Sequence, residues 1–128
     1  MITSVEEMIA QYVSAWNETT LEGYQREFAK CYAADAIYTD PYSEHITGVD
    51  GIVDFAYKSL AIVPERIFTV AEQPAYHHHV GKYIWKVEAP AVTNTGYDYF
   101  EFNDQFQITR LVSFFKLPED YPLDKLRE

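Results

Sequence analysis

The chain has 128 residues and a mass of 14.9 kDa, room for one domain around one core. Hydrophobic residues make up 48% and charged residues 23%, ordinary globular proportions that exclude disorder for most of the chain, while 16% aromatic residues exceed what a core of this size needs and point to rings lining a cavity. A net charge of -10, from 20 acidic against 10 basic residues, disfavours nucleic acid and anionic membrane as partners. In chain order, Ser4 with Glu7 forms a capping box, and Val5, Met8, Ile9, Tyr12, Val13 and Trp16 recur at helical spacing. Thr19 with Glu22 predicts a second helix, whose buried stripe is Leu21, Tyr24, Phe28, Cys31 and Tyr32. Ala36 to Asp40 reads as a short strand stopped by Pro41, followed by a polar loop through Gly48. A third helix is predicted from Val49 to Ile62, with Ile52, Phe55, Ala56 and Leu60 on its apolar side and Pro64 ending it.

The rest reads as sheet. Arg66 to Tyr76 alternates with an interruption at Pro74, Val80 and Gly81 are expected to turn, Lys82 to Ala89 alternates again, and Pro90 to Gly96 is expected as a loop. Tyr97 to Asn103 and Gln107 to Phe115 form a hairpin around Asp104 and Gln105. The expected fold is α+β: a cone-shaped, curved antiparallel sheet, built on a four-stranded meander and wrapped around three N-terminal helices, enclosing an apolar pocket. A single domain is expected over residues 1–116, with a polar tail over 117–128.

A single cysteine, Cys31, leaves no partner for an intramolecular disulfide and reads as core. The start MITSVEEMIA lacks a basic region followed by a long apolar run, so a cytoplasmic location is the expectation, and no apolar run is long enough for a membrane span. Gly48 and Gly51 lack the third glycine of a dinucleotide fingerprint, and there is no P-loop, so no cofactor is expected. His77, His78 and His79 alternate faces if extended, so two at most share a side; zinc spacing is absent, no metal is expected, and an exposed hairpin end is their predicted place.

Three residues stand out by pattern phase. Asp98 alternates with Phe100 and Phe102, so if those rings point inward its carboxyl does too, and burial then disfavours its charged form; the opposite phase would bury the tyrosine face instead. Tyr12 lies in the middle of the first helix's apolar stripe and needs an internal partner for its hydroxyl, either a carbonyl of the core or a ligand. Asp40 is in phase with Tyr38 and closes a strand beside Pro41, as a turn residue or as a base. Together, two weakly acidic donors and one carboxylate are the parts needed to move a proton next to a carbonyl.

The segments QYVSAWN, CYAADAIYTDP, TGVDGIVDF and YDYFEFNDQFQITRLVSFF give the chain, over roughly Tyr12 to Phe115, a pattern that resembles the nuclear transport factor 2-like superfamily, which includes SnoaL-like cyclases and ketosteroid isomerases. Within it the ketosteroid isomerases look most similar: their helix-one tyrosine falls on Tyr12, their aspartate before proline on Asp40, and their strand aspartate on Asp98. The resemblance implies that Asp40 moves a proton from the α to the γ carbon of a ketone while Tyr12 and protonated Asp98 hydrogen-bond the enolate oxygen, with Tyr32 as a supporting tyrosine. Ala56 stands where a further tyrosine is expected, with Tyr57 adjacent. The expected substrate is a small apolar carbonyl compound, steroid-like or polyketide-like, held by Trp16, Tyr32, Tyr38, Phe55, Phe100, Phe102 and Leu111. A homodimer through the sheet is the expected assembly. A non-catalytic pocket protein is the alternative, and an epoxide hydrolase ranks below both because it would need an arginine between two aspartates, whereas Arg110 is out of phase with inward Leu111.

Overall fold

Ser4 opens α1 (Val5–Ala15) as its pattern requires: the hydroxyl oxygen accepts from the Glu7 amide at 3.1 Å, and the Glu7 carboxylate reaches back to the Thr3 amide at 2.9 Å. The computed structural model describes residues 1–116, so the tail expected over 117–128 lies outside the described residues. The stripe of Met8, Ile9, Tyr12 and Val13 is buried. Helix α2 (Leu21–Phe28) starts later than the Thr19–Glu22 spacing predicts, because Thr20 is the cap and accepts from the Gly23 amide at 2.9 Å. That register leaves Leu21 exposed, contrary to expectation, while Tyr24 and Phe28 are fully buried. Cys31 and Tyr32 are also buried but lie beyond the helix, Tyr32 being the first residue of β1 (Tyr32–Asp40).

The segment expected as a loop after Pro41 contains a strand, β2 (Ser43–Thr47), antiparallel to β1 with Tyr38 opposite Ile46 and Asp40 opposite Ser43. It is a short edge strand without a fully buried residue, so it has no alternation to read. Helix α3 (Val49–Ile62) has the expected bounds and buries Ile52, Val53 and Ala56; its cap, Gly48, sits at φ 85, which favours glycine. Strands β3 (Ile67–His77), β4 (Val80–Glu88), β5 (Thr93–Phe102) and β6 (Ile108–Phe114) complete the chain. The β3–β4 turn is at His78 and His79, with φ of 48 and 67, and not at Val80 and Gly81. Two left-handed residues match the right-handed twist of a tight hairpin. Strand β5 begins at Thr93, inside the stretch expected as a loop, because Thr93 and Asn94 already pair with Glu88 and Val87.

The sheet order is β2-β1-β6-β5-β4-β3. Its β3–β6 part is the predicted meander, and the β1–β2 hairpin extends it to six strands. Strands β1 and β6 run parallel, so the sheet is mixed and not antiparallel throughout. Register shifts in β1, β3 and β5 bend the sheet, and the helices pack into its concave side. The convex face carries the exposed side chains Ile67, Ile84, Tyr97 and Phe114, the last two stacked at 4.9 Å. No helix among the described residues is long and apolar enough to cross a membrane.

Candidate functional site

Between the helices and the concave sheet lies a partly open cavity of about 100 Å³. Tyr12 from α1, Asp40 from the end of β1 and Asp98 from β5 all line it. Asp98 is 3% exposed, as its phase with fully buried Phe100 predicts. It sits directly opposite Tyr83 on β4 and Ser113 on β6. Its Oδ2 accepts a short hydrogen bond from the Tyr83 hydroxyl, and its Oδ1 accepts from Trp85 Nε1 at 2.9 Å. Burial raises the Asp98 pKa from 3.8 to about 6, against the lowering effect of Ser113, Tyr83 and Trp85 and with a further push from the charge of Asp40.

Asp40 owes its position to the β1–β2 turn. Its Oδ1 accepts from the Tyr42 and Ser43 amides at 2.8 and 3.0 Å, fixing the turn behind Pro41, and its Oδ2 accepts from the Tyr38 hydroxyl at 2.8 Å. Burial raises its pKa, and these three bonds pull the other way. Tyr12 is 2% exposed, and burial raises its pKa well above the phenol range, as it does for Tyr38 and Tyr83. All three tyrosines are therefore neutral hydroxyl groups at any ordinary pH.

Of the residues expected to hold substrate, Trp16, Tyr38 and Phe55 line the cavity. Trp16 makes ring contacts with Tyr12, Tyr38, Phe55 and Phe68 at 5.8 to 6.4 Å, joining α1, β1, α3 and β3 in one wall. Tyr32, Phe100 and Leu111 are instead packed in the core behind the cavity wall, and Phe102 stands at the far end of β5, half-buried among Tyr76, His79 and Phe106. Tyr32 meets Tyr12 edge-on at 5.3 Å, and its buried hydroxyl interacts with that of Tyr12 from behind the cavity. Tyr57, adjacent to Ala56, is exposed and does not substitute for a pocket tyrosine. The histidine run caps the exposed β3–β4 end, where His79 Nε2 lies 2.8 Å from Asp104 Oδ1. Arg110 is exposed on the sheet, as its phase predicts.

The cavity also holds residues that the sequence reading passed over: Tyr83, Trp85 and Ser113 around Asp98, and Arg66. Tyr83, Trp85 and Val87 alternate inward along β4, a signal present in the sequence. Arg66 is 6% exposed and precedes β3 in phase with half-buried Phe68 and Val70. It donates to Ser59, Tyr24 and the Ala56 carbonyl, and to neither aspartate, so it does not form the arginine–aspartate relay of an epoxide hydrolase.

No protein-family model and no curated protein matches the chain by sequence. Solved structures do match it. A candidate isomerase of the SnoaL-like family from Agrobacterium tumefaciens superposes with a TM-score of 0.77 at 23% identity, over 86% of this chain and 95% of that one. A candidate ketosteroid isomerase from Kribbella flavida gives 0.69 at 20% identity, over 92% and 82%. A de novo designed protein with a curved β-sheet gives 0.71 at 10% identity, over 96% and 93%. The chain has the SnoaL-like, nuclear transport factor 2-like fold. That a designed protein matches as well as the natural ones means the activity has to be argued from the cavity and not from the architecture.

Proposed function

From a chain with the SnoaL-like fold, we propose a cofactor-independent acid–base catalyst that shifts a proton next to the carbonyl of a small apolar substrate, in the manner of ketosteroid isomerase. The observation that carries this reading is that Tyr12, Asp40 and Asp98 all line one cavity. Asp40 is the base: it takes a proton from the carbon α to the carbonyl and returns it to the γ carbon. Its raised pKa makes it a stronger base than a surface aspartate. Tyr12 and the protonated form of Asp98 donate to the oxygen on which negative charge develops. With a pKa of about 6, Asp98 holds that proton below neutrality, and a bound apolar ligand that displaces water raises the value further. A partly open cavity of about 100 Å³ limits the substrate to a small molecule.

The test uses a β,γ-unsaturated cyclohexenone, whose conversion to the conjugated isomer is followed by ultraviolet absorbance. Wild-type protein should catalyse the shift, and Asp40→Asn should lose about a hundredfold or more in kcat, the usual contribution of a positioned base. The asparagine keeps an oxygen for the Tyr42 and Ser43 amides, so the turn is retained. Unchanged turnover in that variant removes Asp40 from the mechanism. A second reading, a non-catalytic binder of small molecules, is favoured by one observation: the Asp40 carboxylate already accepts three hydrogen bonds from its own hairpin, as a turn residue would. Absence of turnover in the wild type supports that reading.

A further inference from the structure

Arg66 is a buried cation without a counter-ion. It is 6% exposed, and no carboxylate among the described residues forms an ion pair with it. Its guanidinium is bound only by neutral oxygens. One terminal nitrogen donates to Ser59 Oγ at 2.7 Å, and the other donates to the Tyr24 hydroxyl and the Ala56 carbonyl, both at 3.1 Å. Nε has no partner. A guanidinium has five N–H donors, so Nε–H and one terminal N–H are unused. The group lies over the rings of Trp16 and Phe68, 5.5 Å from each centroid. Its position is fixed from both sides: Asn17 on the helical side exchanges two hydrogen bonds with the Phe68 backbone, at 2.7 and 3.0 Å, and so holds the start of β3 where Arg66 enters the core.

A strut joining α2, α3 and β3 would account for the three bonds, but it needs neither a charge nor contact with a cavity. Withdrawing a cation from water without an anion is costly, and the cost is recovered when an anion with matching geometry enters. Arg66 lines the same cavity as Asp98 and Tyr12. We propose that this cavity recognises a small organic carboxylate, with the ligand's anionic end on the Arg66 guanidinium and its apolar body against Trp16, Phe55 and Phe68. A guanidinium N–H donates to a carboxylate through a charge-assisted hydrogen bond, which is stronger than its bond to a neutral carbonyl. The carboxylate end must lie away from Asp40 and Asp98, so a ligand placed this way directs its other end towards the two aspartates. The anion site does not depend on catalysis; combined with the proton-transfer reading, on which this extension rests, it specifies the substrate as a small keto acid.

Calorimetric titration with phenylacetate and with its neutral isostere phenylacetamide tests the inference without any turnover. The wild type should bind phenylacetate about tenfold or more tightly, the lower end of what a charge-assisted hydrogen bond contributes. Arg66→Gln, checked for folding by circular dichroism, should lose that preference. Equal or weaker binding of phenylacetate by the wild type overturns the inference, as does no detectable binding at about 10 mM, beyond the millimolar range of weak ligands. A preference retained in folded Arg66→Gln overturns it too. Should Arg66→Gln not fold, the wild-type comparison decides alone. The titration reads carboxylate binding without turnover and the cyclohexenone assay on the wild type reads proton transfer on a neutral ligand, so the two readings fail separately.

Discussion

Asp98 makes the stability of the protein depend on pH in a direction opposite to that of most carboxylates. Its pKa rises from 3.8 to about 6 on folding because burial penalises the charge. The folded state therefore holds a proton that the unfolded chain has released, and stability falls as pH rises from about 4 to about 6, by roughly 3 kcal/mol for a shift of this size. Above that window the contribution is constant. Glu27, lowered from 4.5 to about 2 by Lys30, Arg26 and Gln11, acts with the opposite sign and mostly below the Asp98 window, the two overlapping only at about pH 4. Urea denaturation of wild type and Asp98→Asn across this range should give curves that diverge with rising pH, the variant losing the part of the decline that Asp98 contributes while buried Asp40 keeps its own; parallel curves would place the Asp98 carboxyl in a solvated state. Asp98 was legible in the sequence because a charged residue in phase with Phe100 violates the apolar pattern of its strand. Arg66 breaks the pattern of Phe68 and Val70 in the same way, yet it stands one residue outside β3, where alternation has barely begun. Its importance comes from what it lacks, a counter-ion, and that is a property of the folded neighbourhood.

At the level of elements, the sheet is shaped to bring the aromatic wall close to the backbone. Gly96 on β5 faces Trp85 across the β4 ladder, and a Cβ added there would lie 2.5 Å from the Trp85 ring and 2.6 Å from the Phe114 carbonyl oxygen. The oxygen belongs to the backbone of β6 and cannot rotate away. Gly96→Ala should therefore cost roughly 1 to 3 kcal/mol, as overpacking usually does, and should displace Trp85, whose indole donates to Asp98. A lowered denaturation midpoint together with altered tryptophan fluorescence is the expected result; wild-type values for both would mean that the strands separate freely. The helix starts were readable from caps to within a residue and α3 matched at both ends, whereas α2 ends at Phe28, short of the stripe read through Cys31 and Tyr32. The failures were local: Thr20 competed with Thr19 as a cap, β2 had no buried face to reveal it, and the left-handed pair His78–His79 lacks the glycine or asparagine by which such turns are recognised.

For the whole molecule, the meander and its helical filling followed from the order of elements, whereas the parallel pairing of β1 with β6 joins segments distant in sequence and leaves no local trace. The convex face of the sheet carries large apolar side chains that no other described element covers. Ile84, Tyr97 and Phe114 project there on neighbouring strands, and Tyr97 stacks on Phe114. We propose that two copies associate through this face. Each copy brings a net charge of -10, so approach is opposed by long-range repulsion while contact is favoured by apolar burial. Salt shortens the reach of the repulsion, to about 8 Å at physiological ionic strength, and leaves the apolar contribution in place. The monomer–dimer equilibrium should therefore respond to ionic strength in the sense contrary to that of an assembly held by ion pairs. Sedimentation velocity should find the dimer fraction growing as sodium chloride is added, with Phe114→Glu monomeric throughout; a wild type that stays monomeric at every salt concentration would leave the stacked pair as an ornament of the monomer.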